Sequence, residues 1–413
     1  MARTLFISAL ALVCCALPAQ AQAPGPIKPG DFPDGPGKEI VTTTCNTCHS
    51  ATRVRAGYTP EGWDTVAHMM QNFGAPVEEK EWPIVKAYLI KNFPERQRPP
   101  AKIIPGPVQV DIREWPLPTP GERPHDPMAG QDGSIWYSGQ LANLLGRLDP
   151  KTGQFKEYRL ERPMTAPHGL KEDKDGNIWF TGNFAGLIGE LDPKTGKVTE
   201  YPLPDPSARD PHTLIFDHNG TLWFSVQQGN FLGRLDPKTG AIKLVHPPTA
   251  NARPYGLAVN SKNQVFFVEF GANKVATIDD DMKITEWVLP DLGARPRRIA
   301  IDADDNIWYT DFAHGFLGRL DPKSGKITEW QSPSGPQSQP YGIAFTKGAL
   351  WYCESYAKPN TIVRFDPKTE QFQTWAIPGR QGGDIVRNMD VARDGNVLLA
   401  NSLANEVGEV EIK

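Results

Sequence analysis

Cysteine is scarce in this chain. Of five in 413 residues, Cys14 and Cys15 fall in an N-terminal stretch read below as a removable leader, which leaves Cys45, Cys48 and Cys353. There is no second spaced pair, so a disulfide scaffold is excluded. Charge of one sign is also lacking: 44 Lys and Arg stand against 48 Asp and Glu. Nothing in that balance recommends nucleic acid or an anionic membrane as a partner. Long apolar runs are missing too, apart from residues 5–17. That run is too short to span a bilayer permanently, so an integral membrane protein is not expected.

Glycine and proline, at 38 and 40, are plentiful, but they recur in phase and mark turns rather than disorder. The phase belongs to a repeat whose clearest copy is PHGLKEDKDGNIWFTGNFAGLIGELDPKTGKVTEYPLP, residues 167–204. Copies begin at Pro124, Pro167, Pro211, Pro254, Pro296 and Pro340, with a degraded one at Val386, 42 to 46 residues apart. That is the period of four-stranded propeller blades. Within each copy a Pro-His-Gly or Pro-Tyr-Gly start leads one strand, and an Asp-Gly or Asn-Gly pair makes the tight turn. A second strand carries Trp136, Trp179, Trp223, Phe266, Trp308 or Trp351 at equivalent places, one large aromatic per blade to pack between twisted sheets. A third strand follows, and Asp-Pro-Lys-Thr-Gly turns it into the fourth. Prolines are expected between blades and not in strand interiors.

The last copy, from Arg387 to Lys413, supplies three strands, and a matching fourth, VDIREWPLP at 110–118, stands ahead of the first blade. The expected fold is therefore an all-β seven-bladed β-propeller over 110–413, closed by the strand 110–118. An open solenoid would not need the split copy, and closure removes exposed sheet edges.

Ahead of the propeller, MARTLFISALALVCCALPAQAQA has a basic start, an apolar run and an Ala-Gln-Ala end. It reads as a signal peptide, 1–21, giving an exported, periplasmic protein. Residues 30–97 read as a small all-α domain with a chemical signature, Cys45-Asn46-Thr47-Cys48-His49. Two thiols at that spacing form thioethers to the two vinyl groups of one haem, and the adjoining imidazole becomes an axial ligand. A zinc site would need further Cys or His at suitable spacing, and a thioredoxin-like pair would want a βαβ setting. A covalent haem c is the expectation, with Cys45, Cys48 and His49 holding it. Thr59 and Pro60 open a helix that Gly74 closes. It carries His68, Met69 and Met70, the candidates for the sixth iron ligand. The run from Trp63 to Phe93 resembles small bacterial c-type cytochromes, and aligning Trp63, Gly74-Ala75, Tyr88-Leu89 and Phe93 places the family's methionine on Met70. Residues 98–109 form a proline-rich linker. Cys353, behind the blade-six aromatic, is expected to be a buried, inert thiol.

Strand alternation gathers His125, His168, His212, Tyr255, Arg297, Tyr341 and Arg387 around the channel on one face. Asp210, Arg253 and Arg295 stand just before three of them, and Glu269, Asp311 and Glu354 join the same rim. Over 110–413 the repeat resembles virginiamycin B lyase and its streptogramin-lyase relatives. That resemblance implies a seven-bladed propeller that opens cyclic depsipeptides by Mg²⁺-assisted elimination, through a His at one blade start and Glu-x-His at the next. His168 matches the first, and Asp210-Pro211-His212 the second with Asp in place of Glu. A metal on Asp210 would acidify the C–H beside an ester carbonyl, and His212 would take the proton.

Two functions follow as expectations. One is electron transfer through the haem, with the propeller binding a redox partner protein or a small-molecule substrate. The other is a carbon–oxygen lyase acting on a cyclic depsipeptide or a related ester or lactone. An elimination involves no net electron flow, so the haem favours the first. A quinoprotein dehydrogenase would want adjacent cysteines and eight blades, and a gluconolactonase-type hydrolase six blades.

Overall fold

The computed structural model describes residues 32–379 and 385–413; the expected signal peptide, 1–21, and residues 30 and 31 lie outside them. Among the described residues are seven four-stranded antiparallel sheets. Six are consecutive copies of the repeat. The seventh joins Val110–Pro116 to the last three strands, with Val110 opposite Ile412 and Pro116 opposite Glu406. Closure by the early strand is thus as the split repeat predicts.

The repeated residues have visible jobs. Asp173 accepts bonds from its turn and from Trp179 Nε1 at 2.9 Å, and Asp217 and Asp302 do the same for Trp223 and Trp308. The turn residue therefore fixes the ring that separates blades. That ring stacks on the fourth strand, as in the pairs Trp179–Tyr201 and Trp351–Trp375 at 5.3 and 5.6 Å. Gly189 in the third strand lies under Phe180, where a Cβ would stand 2.1 Å from Cζ. In the Asp-Pro-Lys-Thr-Gly turn, Asp192 accepts from Lys194 N and Thr195 Oγ1, and Gly196 takes a φ of +77°.

One expectation fails. Pro127 lies inside the first strand of blade one, Pro124–Ala129, opposite Tyr137. Each first strand is the innermost of its sheet and has a neighbour on one side only, so a missing N–H is tolerated there.

Among the described residues, the segment ahead of the propeller contains three α-helices, α1 (Lys38–Thr43), α2 (Pro60–Asn72) and α3 (Trp82–Asn92), with short 3₁₀ turns between. Thr59 caps α2 by accepting from Gly62 N at 3.1 Å, and Gly74 follows its end at φ +80°. Pro83 falls in the first turn of α3. The core is Phe32, Val41, Trp63, Ala67, Trp82, Val85, Tyr88 and Leu89, with Phe93 against it. Trp63 Nε1 donates to Phe93 O at 2.9 Å, tying the start of α2 to the end of α3.

This helical segment sits on the propeller. Asn72 donates to Pro120 O at 2.8 Å, Phe73 meets Phe184 edge-on at 5.3 Å, and Gly121 lies against the backbone of α2. Residues 98–109 lie along the outer strand of blade six. There Ile104 and Thr374 exchange bonds, and Val108 N–H donates to Gln373.

Candidate functional site

Two places gather chemistry-bearing side chains. The first is a cavity of about 370 Å³ between the helical segment and the propeller. Cys45, Cys48, His49, Met69 and Met70 all line it, among apolar walls that include Trp63, Val66 and Leu89. His49 Nδ1 is 3.1 Å from Ser50 O; donation there leaves Nε2 as the basic nitrogen. Burial pushes the Cys45 thiol above its ordinary pKa. His68, the other ligand candidate on α2, keeps its Nδ1 2.9 Å from Asp64 O and packs beside Gly121. Met69 is buried and Met70 partly so, on adjoining faces of α2. The propeller contributes Arg123 and Arg387 to the same cavity. Burial, then the neighbouring Arg387, brings Arg123 down to about 9.

The second place is the channel. His125, His168 and His212 follow one another with ring centres 3.6 and 3.8 Å apart and planes tilted by 41° and 49°, and Tyr255 follows at 3.9 Å. All three imidazoles are buried, and burial, followed by facing basic groups, holds each well below the ordinary histidine value, hence neutral. Tyr255 and Tyr341 share a hydrogen bond through their hydroxyls. Beneath them runs a network the sequence reading did not name. Arg298 donates to Asp126 at 2.9 Å and to Thr213 at 3.1 Å; Asn388 donates to Asp126 at 2.9 Å; His125 Nδ1 is 2.8 Å from Asp126.

The geometry follows from a bulge. Every first strand shifts register just after its opening residue, a proline in six blades and Val386 in the seventh. Such an irregularity re-aims side chains. The signal was present in the repeat: the third residue is Gly in three copies, and Asp126, Thr213, Arg298 and Asn388 are the four departures. At Gly169 a Cβ would stand 2.7 Å from His212 O.

Of the proposed lyase residues, His168 and His212 are in this row. Asp210 lies at its edge at φ +69°, hydrogen-bonded to Asn183, and burial pushes it up to about 7 against bonds from Asn183 and Gln228. Among the described residues, one group of three offers ligand atoms all within 4.8 Å of one another: His125, Asp126 and His168. Asp210 is outside it. The Asp126 oxygen that faces His125 also accepts from Arg298, so an ion pair already uses that position. On the rim, Glu354 accepts from Ser332, Ser334 and Thr361, and Asp311 from Arg295 N–H. Both read as structural. Cys353 is buried, its Sγ 3.1 Å from Val386 O, with burial pushing the thiol up to about 11.

The fold and its channel define a closed seven-bladed propeller with a helical segment seated on one face. The profile of the Virginiamycin B lyase family matches residues 102–358, more than half of the chain, and the protein belongs to that family. Among solved structures, a streptogramin B lyase is 27% identical with a TM-score of 0.67, covering 74% of this chain and 98% of its own. Virginiamycin B lyase from Staphylococcus aureus is 26% identical at the same TM-score, over 73% of this chain and 99% of its own. A catalytically inactive histidine-to-alanine variant of the S. aureus enzyme, with quinupristin, matches at 25% identity and a TM-score of 0.67, over 73% and 99% of the two chains. No curated protein matches the chain.

Proposed function

We propose that the protein is an exported, periplasmic c-type cytochrome carried on a virginiamycin B lyase-family propeller, which serves as its binding module for a redox partner or a small-molecule substrate. The observation that supports this most is the convergence of Cys45, Cys48, His49 and two methionines on one cavity. The residues fit a covalent haem. Cys45 and Cys48 would anchor it, His49 Nε2 and Met70 would hold its iron, and apolar walls would exclude water. Arg123 and Arg387 supply two positive groups for its two carboxylates. Bound there, the group supplies one-electron redox chemistry, and His/Met ligation raises the potential and closes the iron to exogenous ligands. Met69 and Met70 point about 100° apart on α2, so only one of them could serve the iron.

Protein matured with a cytochrome assembly system should give a pyridine haemochrome spectrum of c type, and Cys45→Ala with Cys48→Ala should abolish covalent attachment. Met70→Ala should lose the methionine-ligand absorption band and lower the midpoint potential, while Met69→Ala keeps both. Colourless wild-type protein without added mass would end the reading.

A second reading rests on family membership: Mg²⁺-dependent carbon–oxygen elimination, with Asp210 holding the metal and His168 and His212 serving the substrate. His212 stands between His168 and Tyr255, and its neutral state suits a base. Incubation of a streptogramin B with Mg²⁺ should show ring opening that disappears in His212→Ala. Equal, negligible turnover in both proteins excludes it.

A further inference from the structure

Blades three, four and five enclose another cavity on the face that carries the starts of the first strands, about 630 Å³ in volume. Four guanidinium groups line it, those of Arg209, Arg253, Arg295 and Arg297, together with the rings of Phe270 and Phe312. No acidic side chain is among its lining residues. The Arg297 guanidinium carbon is 3.8 Å from the Phe312 ring centre and 4.5 Å from that of Phe270, and its Nε is buried without a hydrogen-bond partner. Cation–π contact holds the group in place but leaves its donors unspent. Arg295 Nη1 donates to Ala294 O at 2.7 Å, which orients that side chain too. Arg209 and Arg253 are exposed and form no salt bridge with a described residue.

Four like charges around one opening repel, and each guanidinium is a planar fork matched to a carboxylate or phosphate. The volume is in the range of small-molecule sites. The helical segment meets the propeller through Arg123, Leu141, Phe184 and Leu403, in blades one, two and seven, and so leaves this part of the face uncovered.

We propose that this cavity binds a small organic oxyanion, a carboxylate or a phosphate ester, with the anionic group held by Arg209, Arg253 and Arg295 and the carbon body against Phe270 and Phe312. The site uses none of the residues of the haem reading and stands or falls apart from it.

Calorimetric titration of the mature full-length protein with citrate and, separately, phenyl phosphate tests it, with glycerol as the neutral control. Saturable one-site binding of either anion is expected, weakened about tenfold or more by Arg253→Gln and by Arg209→Gln. About 0.5 M sodium chloride should weaken it as well. Arg162→Gln, which removes an exposed arginine paired with Glu200 on the outer edge of blade two, should bind as wild type. Binding of citrate alone or phenyl phosphate alone identifies which oxyanion the site takes. Absence of saturable binding by both, or wild-type affinity in both rim variants with unchanged melting, overturns the proposal.

Discussion

Glu269 ends the second strand of blade four, fully buried, with no hydrogen bond to either carboxylate oxygen. Burial, reinforced by Glu286, pushes its pKa from 4.5 to about 8. A carboxyl raised on folding contributes stability that is present below the unfolded value and is lost as pH rises through the folded one. Between pH 4.5 and 8 the folded state holds a proton that the unfolded state has released, so stability falls by about 1.4 kcal/mol per pH unit from this group. Glu269→Gln keeps the neutral form at every pH. Its melting temperature should match wild type near pH 4 and exceed it at pH 8, measured by circular dichroism in the two buffers. Equal melting at pH 8 would mean that the carboxyl is already solvated.

The inner strands show what elements do that single residues cannot. Arg298 and Asp126, in blades five and one, meet across the channel with both side chains buried. Asp126→Ala would strand a guanidinium and should cost roughly 3–5 kcal/mol, whereas Asp126→Leu with Arg298→Met should recover most of that, read by chemical denaturation. Blade period, turn chemistry, the aromatic ring and the split blade were all legible in the sequence because each rests on a local pattern repeated many times. Cys45, Cys48 and His49 stand out in the sequence for the opposite reason, a single rigid spacing, and Met70, marked only by the resemblance to small c-type cytochromes, lines the same cavity. The Arg298–Asp126 link was not, because it joins residues far apart in the chain and the repeat invites averaging over its third position. Departures from glycine there were the available signal. Arg209 belongs to no repeated position that the pattern marks, whereas Arg253, Arg295 and Arg297 stand at strand starts that the repeat puts on one rim; all four line one cavity. Pro127 escapes the rule against strand prolines because that rule applies to strands paired on both sides, and its strand is paired on one.

At the scale of the molecule, one face carries everything of chemical interest. The helical segment lies against blades one, two and seven, the imidazoles of blades one to three follow one another around the channel, and the arginine cavity opens over blades three to five. The opposite face carries the Asp-Gly turns and the Asp-Pro-Lys-Thr-Gly turns, whose polar side chains are spent on their own backbone. The connection 98–109 is held to blade six by backbone and side-chain bonds, so the helical segment is moored on two sides.

Pairing of Val110 with Ile412 also sets a timetable. Nearly the whole of the propeller's sequence lies between the two, and contacts that distant form late. The helices have an interior of their own, drawn entirely from residues ahead of the wheel. The strand that shuts the wheel follows directly on the segment moored to blade six, so the head's tether and the latch are one stretch of chain.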